Sequence, residues 1–159
     1  MKIIFYIFTI FPLRLAFQLW DCVFKVIPLS ALSFFPAFRI TKKNLSIAFP
    51  ELAEHELDLL AQESYKETLK SFYETLYVWS RSSKKIIHET KKINNRFLFN
   101  NPEQDSGLII FALHNRSIDF MLRWISSQRS HTSLYKKIKS KPINNFVKKI
   151  RQEGNCRMV

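Results

Sequence analysis

Glycine and cysteine are scarce in this chain, and their scarcity excludes several classes of protein. Only two of the 159 residues are glycine, so the glycine-rich loops that cradle nucleotide phosphates have almost no material. The two cysteines, Cys22 and Cys156, lie far apart and match neither a metal-ligand spacing nor a disulfide framework. We therefore expect reduced, structural thiols, no metal site and no bound cofactor.

A long uncharged apolar run is also missing. Residues 1–38 have the composition of a membrane segment, but their uncharged runs, such as Ile3 to Leu13, are all shorter than the roughly 20 residues that cross a bilayer. Polar residues recur there at helical spacing, at Arg14, Gln18, Asp21 and Lys25. This spacing predicts a helix with one polar stripe, starting near Pro12 and closed by Pro28. We interpret the segment as membrane-associated, lying on the bilayer or spanning it.

A secretory signal and a buried core helix are two other interpretations of this segment. The signal is disfavoured because no small-residue cleavage site follows promptly and Arg14 interrupts the apolar region. The core helix is disfavoured because so much apolar surface precedes any obvious sheet that would cover it.

Positive charge dominates the chain, with a formal net charge of +12. Residues 120–152 contain nine lysines and arginines and no acid. Such a stretch is typical of a solvated basic face, or of a surface for nucleic acid, an anionic membrane or an acidic protein. Aromatic residues are not interleaved with the basic ones as a base-stacking platform requires, so we do not expect a nucleic acid partner.

Hydrophobic periodicity predicts the order of elements. Residues 51–80 have apolar side chains at three- and four-residue spacing and predict one long amphipathic helix, with a shorter helix at 84–91 and a turn at 100–107. Leu108 to Leu113 is a continuous apolar run, which predicts a strand buried on both faces. Helices at 117–128 and 142–153 and strands at 131–136 and 155–159 complete the prediction.

The predicted fold class is therefore α/β. N-terminal membrane-associated helices and a long amphipathic helix lead into a parallel-sheet βαβα unit. We divide the chain into a membrane-associated segment, residues 1–38, and the first half of an α/β domain, residues 39–159. Because a parallel edge strand needs a neighbour and covering helices, we interpret the end at Val159 as truncation.

One pair of residues suggests proton chemistry. His114 directly follows the predicted strand, and Asp119 comes five positions later, near the start of the next helix. Ligands of open α/β sheets bind outside the carboxyl ends of the strands, where His114 is expected. A carboxylate beside an imidazole fixes its tautomer and stabilises the imidazolium that forms when the ring takes a proton.

Several separated segments together resemble the lipid A biosynthesis acyltransferases, the late-acting lauroyl and myristoyl transferase group. The resemblance runs from about Phe11 to Gly154, and its clearest piece is KKNLSIAFPEL at residues 42–52. The apolar run ending in His114, with Asp119 at the family's His-x4-acid spacing, is the next piece. Leu134-Tyr135-Lys136 and the basic helix that ends Arg151-Gln152-Glu153-Gly154 follow. Between His114 and Asp119 this chain has Asn-Arg-Ser-Ile instead of the family's common Gly-Asn-Trp type insert.

The resemblance implies a reaction and its participants. His114 is implied to act as general base on a hydroxyl of a phosphorylated glycolipid acceptor, with Asp119 orienting the imidazole. The donor is implied to be an acyl thioester of acyl carrier protein, which is a co-substrate and not a cofactor. Arg116, inside the motif, is our candidate for a phosphate contact. The implied place is the cytoplasmic face of the cell inner membrane, with the anionic membrane surface as a further partner.

Two alternatives to an active acyltransferase stay open on the sequence. The first is a non-enzymatic basic module that binds a membrane or nucleic acid through residues 123–151. The second is a degenerate gene product, or a chain that acts only with a separately encoded second half.

Overall fold

The computed structural model describes residues 1–90, 92–99, 108–112 and 116–159, without the side chain of Leu98. These residues are mostly helical, with one small parallel sheet. In chain order the elements are α1 Lys2–Phe8, α2 Leu13–Val26, α3 Leu29–Leu32, α4 Pro36–Ala48, α5 Glu54–Ser80, α6 Ser83–Glu89, α7 Arg96–Phe99, α8 Ile118–Gln128, β1 His131–Ser133, α9 Lys141–Arg151 and β2 Cys156–Met158. The predicted turn at 100–107 lies outside the described residues.

Two compact units make up the chain. One, which we call the helical unit, is Phe8–Leu76; the other, the α/β unit, is Met1–Ile7 together with Tyr77–Val159. The long helix predicted at 51–80 is observed as α5 and contributes residues to both units. The division predicted after residue 38 stays a prediction.

In the helical unit, prolines stand where helices begin. Pro12 immediately precedes α2, Pro28 immediately precedes α3, and Pro36 is the first residue of α4. Proline suits these places because its φ is already helical and the amide hydrogen it lacks would have no intrahelical partner. The helix predicted between Pro12 and Pro28 is confirmed.

The core of the helical unit forms where α2, α3 and α4 bury apolar side chains against α5. Phe24, Leu32, Phe38 and Ala61 are buried together, and Tyr65 packs against them with its ring edge-to-face to Phe38 at 5.7 Å between centroids. Complete burial of a side chain of this size contributes about 1.5–3 kcal/mol. The apolar periodicity of α5 therefore serves the core, as expected for an amphipathic helix.

The polar stripe of α2 is present, and an apolar stripe lies beside it. Asp21 pairs with Lys66 and Lys70 of α5, with Nζ–Oδ1 distances of 3.3 and 2.6 Å, while the other three stripe residues are exposed. Leu15, Leu19, Val23 and Val26 of the same helix are exposed as well. Among the described residues no single helix has the length and hydropathy of a membrane span, although α1 and α2 taken together meet both criteria.

In the α/β unit, β1 and β2 form a parallel pair joined through α9. The register places His131 opposite Cys156 and Ser133 opposite Met158. Val147 and Ile150 of α9 are fully buried, and Gly154 (φ +98°) turns the chain from α9 into β2. That backbone region favours glycine because it has no Cβ. The predicted order helix, strand, helix, strand from residue 117 onwards is confirmed, with shorter strands than expected.

The prediction of a buried strand at 108–113 is wrong for the residues that can be judged. Residues 108–112 form no strand, and Ile109 and Phe111 are 79% and 94% exposed; Leu113 lies outside the described residues. An apolar run indicates only that a segment is suited to burial. A strand also needs a neighbouring strand with which its backbone can form hydrogen bonds. Among the described residues, only β1 and β2 pair with each other.

Candidate active site

Asp119, at the start of α8, forms a bidentate ion pair with Arg151. The side chain is 6% exposed, and its two oxygens accept hydrogen bonds from Arg151, at 3.0 Å from Nε to Oδ1 and 3.3 Å from Nη2 to Oδ2. A carboxylate in the first helical turn is also favoured by the helix dipole. Arg123 and Ser126, four and seven positions later on the same face of α8, are buried as well, so Asp119 lies on the buried face of the helix. Asp119 is therefore a buried, oriented carboxylate.

In a second ion pair close to the first, α8 supplies the basic residue instead of the acidic one. Arg123, one helical turn after Asp119 and 4% exposed, donates from Nη1 to Oε2 of Glu153 at 2.9 Å and to Oγ of Ser83 at 2.7 Å. Burial alone would raise the pKa of Glu153, but hydrogen bonds donated by Lys2 and Arg123 outweigh it and lower that pKa. We call the two pairs, Asp119–Arg151 and Arg123–Glu153, the helix clamp.

A cavity of about 800 Å³ adjoins the helix clamp. Its walls are mainly apolar, and Arg151 and Arg129 contribute positive charge. The apolar walls come from residues 108–112, from Ile118, Met121, Leu122 and Ile125 of α8, from Leu134 and from Met158 of β2, while β1 contributes polar side chains. This volume lies within the range of about 300–1,000 Å³ that is usual for small-molecule sites. The exposed apolar run that forms no strand is thus one wall of the cavity.

The predicted site residues are only partly described. His114 lies outside the described residues, so its distance to Asp119 is not defined. Arg116 stands in the turn before α8 and is partly buried. Within the described ranges, no three His, Cys, Asp or Glu side chains are grouped to hold a metal ion.

The partner of Asp119 was missed by sequence reasoning. Arg151 and Arg123 were counted in the basic stretch 120–152 as members of one basic surface, which is wrong for both. The acids that pair with them, Asp119 and Glu153, flank the stretch and so did not enter its charge count. The four-residue spacing of Asp119 and Arg123 places both on one face of α8. It was the available signal that Arg123 shares the buried face of Asp119 and does not belong to an exposed basic surface.

The six lysines of the stretch, unlike Arg123 and Arg151, form an exposed surface. Lys136, Lys137, Lys139, Lys141, Lys148 and Lys149, on α9 and the connection before it, are exposed. None of them pairs with an acid within the part of the chain that the structure describes. We call these six residues the lysine surface.

Comparison with known proteins identifies one family. The model of the family described as "Bacterial lipid A biosynthesis acyltransferase" matches residues 5–159. A search among curated proteins found no match.

Proposed function

Because the chain belongs to the bacterial lipid A biosynthesis acyltransferase family, we propose that it transfers a fatty acyl chain from acyl carrier protein to a hydroxyl of a phosphorylated lipid A precursor. Membership supports acyl transfer in lipid A biosynthesis as the reaction class. The structural observation that carries the proposal furthest is the largely apolar cavity lined in part by Arg151, the partner of the buried carboxylate of Asp119.

The proposed chemistry is a direct transfer between two substrates. His114 takes the proton of the acceptor hydroxyl as its oxygen attacks the thioester carbonyl, and the C–S bond breaks when the tetrahedral intermediate collapses. The proton on His114 then passes to the departing thiolate. Asp119 orients the imidazole and stabilises the imidazolium. No covalent enzyme intermediate is required.

The cavity suits the acyl chain. A hydrocarbon chain gains about 25 cal/mol for each Å² of apolar surface removed from water, and most of the lining side chains are apolar. Arg129 adds positive charge at the same cavity, which suits the phosphate groups of the substrates, whereas the charge of Arg151 is paired with Asp119. Arg116, in the turn before α8, is the proposed phosphate contact of the acceptor.

The lysine surface suits an acidic protein such as acyl carrier protein. Six exposed lysines without acidic partners among the described residues create a positive potential that accelerates the approach of a negatively charged partner. We therefore propose the lysine surface as the docking site of the acyl donor. The double variant Lys148→Glu/Lys149→Glu is expected to raise the KM for the donor and leave kcat unchanged. Lys84→Glu, an exposed charge reversal on α6, is the control.

The N-terminal helices suit the cytoplasmic face of the inner membrane. Ile3, Ile7 and Phe8 of α1 are 77%, 64% and 70% exposed, and α2 adds its exposed apolar stripe. Apolar side chains presented in this way favour insertion at the level of the lipid headgroups. Flotation with anionic vesicles tests this part: substituting glutamine for Leu15, Leu19 and Val23 together is expected to release the chain from vesicles.

Transfer of radiolabelled acyl chains from acyl carrier protein to lipid A precursor tests the catalytic proposal. His114→Ala is expected to reduce the rate by about 100- to 10,000-fold, the range for general acid–base catalysis. His55→Ala, at an exposed histidine on α5, is the matched control and should retain the rate. Transfer that is unchanged by His114→Ala would refute the assignment of the base. Absence of transfer, together with salt-sensitive DNA binding, would favour the non-enzymatic alternative.

A further inference from the structure

The helix clamp joins the same two parts of the chain twice. Asp119 and Arg123 lie four residues apart on one face of α8, Arg151 is the last residue of α9, and Glu153 follows in the next turn. One pair has its acid on α8, and the other has its acid after α9. Either pair alone would attach the end of α9 to α8, so attachment does not require both.

The Asp119–Arg151 pair differs from the other in geometry. Arg151 contacts both carboxylate oxygens through two nitrogens, whereas Arg123 contacts only Oε2 of Glu153. Two parallel hydrogen bonds from a planar guanidinium fix the plane of a carboxylate as well as its position. The guanidinium of Arg151 also lies 6.0 Å from the ring centroid of Trp79, within the range of a cation–π contact. The arginine is therefore itself held in place.

We propose that Arg151 is a positioning residue that fixes the carboxylate of Asp119 in the orientation needed to hold the catalytic base, an inference that rests on the proposed acyl transfer and on the roles of His114 and Asp119. An ionised carboxylate has about four acceptor positions, and Arg151 occupies one on each oxygen. Acceptor positions thus remain for an imidazole N–H. A carboxylate without Arg151 would rotate about its side-chain bonds, and misplacement by about 1 Å costs on the order of 100-fold in rate.

Three variants of the full chain separate positioning from structural support. Arg151→Met removes both hydrogen bonds, and Arg151→Lys keeps the charge but replaces the planar fork with a single ammonium group. Glu153→Gln is the matched control, because it weakens the second pair of the helix clamp without touching Asp119. Each is measured for kcat and for the KM of the acyl donor, and circular dichroism at the assay temperature shows whether it is folded.

The expected result is a fall in kcat of about 100-fold for Arg151→Met and at least about tenfold for the folded Arg151→Lys, with KM changed less than about threefold. Glu153→Gln should stay within about threefold of the wild-type kcat. In a double-mutant cycle, Arg151→Met should add little to the loss caused by Asp119→Asn, because both variants disable the same carboxylate.

Three results would overturn this inference. Additive effects of Arg151→Met and Asp119→Asn would show that the arginine acts elsewhere, and equal losses in Glu153→Gln and Arg151→Lys would show a purely structural role. If the wild-type chain transfers acyl groups but Asp119→Asn has the wild-type rate, the assignment of Asp119 is wrong and this inference fails with it. If the wild-type chain transfers no acyl group, the proposed function itself fails.

Discussion

Removing either partner of the Asp119–Arg151 pair should destabilise the chain, by unequal amounts. The Asp119 side chain is 6% exposed, while that of Arg151 is 24% exposed. Arg151→Met leaves a carboxylate almost without access to water, and breaking a buried pair in this way costs about 3–4 kcal/mol. Asp119→Asn leaves a guanidinium that still reaches solvent and retains one amide oxygen as acceptor, so its cost should be nearer 1–2 kcal/mol. The loss of stability should therefore be larger for Arg151→Met, because the charge that it leaves unpaired is the more deeply buried one.

Urea unfolding followed by circular dichroism measures both losses. With a slope of about 2 kcal/mol/M, Arg151→Met should lower the midpoint by about 1.5–2 M and Asp119→Asn by about 0.5–1 M. Arg157→Met is the control, because Arg157 is an exposed residue of β2, and it should stay within about 0.5 kcal/mol of wild type. A loss for Asp119→Asn equal to or larger than that for Arg151→Met would refute the reasoning from burial.

Two further predictions concern other parts of the α/β unit. Because the pKa of Glu153 is lowered in the folded chain, its stabilisation is complete above the unfolded value of 4.5 and is lost as the pH falls through the folded value. The wild-type chain should therefore lose more unfolding free energy than Glu153→Gln between about pH 6 and about pH 3; parallel losses in urea titrations at both pH values would contradict this. Ile86 of α6 is fully buried, so Ile86→Ala should cost about 2–4 kcal/mol, while Ile87→Ala, at a partly exposed position, should cost less. Equal thermal unfolding of the two variants would count against Ile86 as a core residue.

Helix positions in this chain were largely predictable because local physics sets them. Apolar side chains at three- and four-residue spacing indicated α5, and the prolines at 12 and 28 indicated the ends of α2. The strands were predicted less well, because a strand depends on its neighbour as well as on its own residues. The apolar run at 108–112 has the composition of a buried strand and forms a wall of the cavity instead.

The candidate site shows the same division. The sequence indicated Asp119 through its spacing to His114 and through the family resemblance, and the family match over residues 5–159 agrees with that resemblance. It did not indicate Arg151, because 32 positions separate Arg151 from Asp119. A count of charged residues gives the net charge of a segment but does not show which residues pair with each other.

By itself, the amino-acid sequence determined the order of elements from residue 117 onwards, the long helix, the polar stripe of α2 and the family of the chain. These follow from local periodicity, from backbone preference and from motifs that are read in order along the chain. Only the tertiary structure decided which basic residues are solvated and which are paired. Lys148 and Lys149 of α9 are exposed, whereas Arg151, two positions later, reaches a buried carboxylate. The physical reason is that an ion pair depends on distance and burial in space, which the folding of α9 against α8 creates.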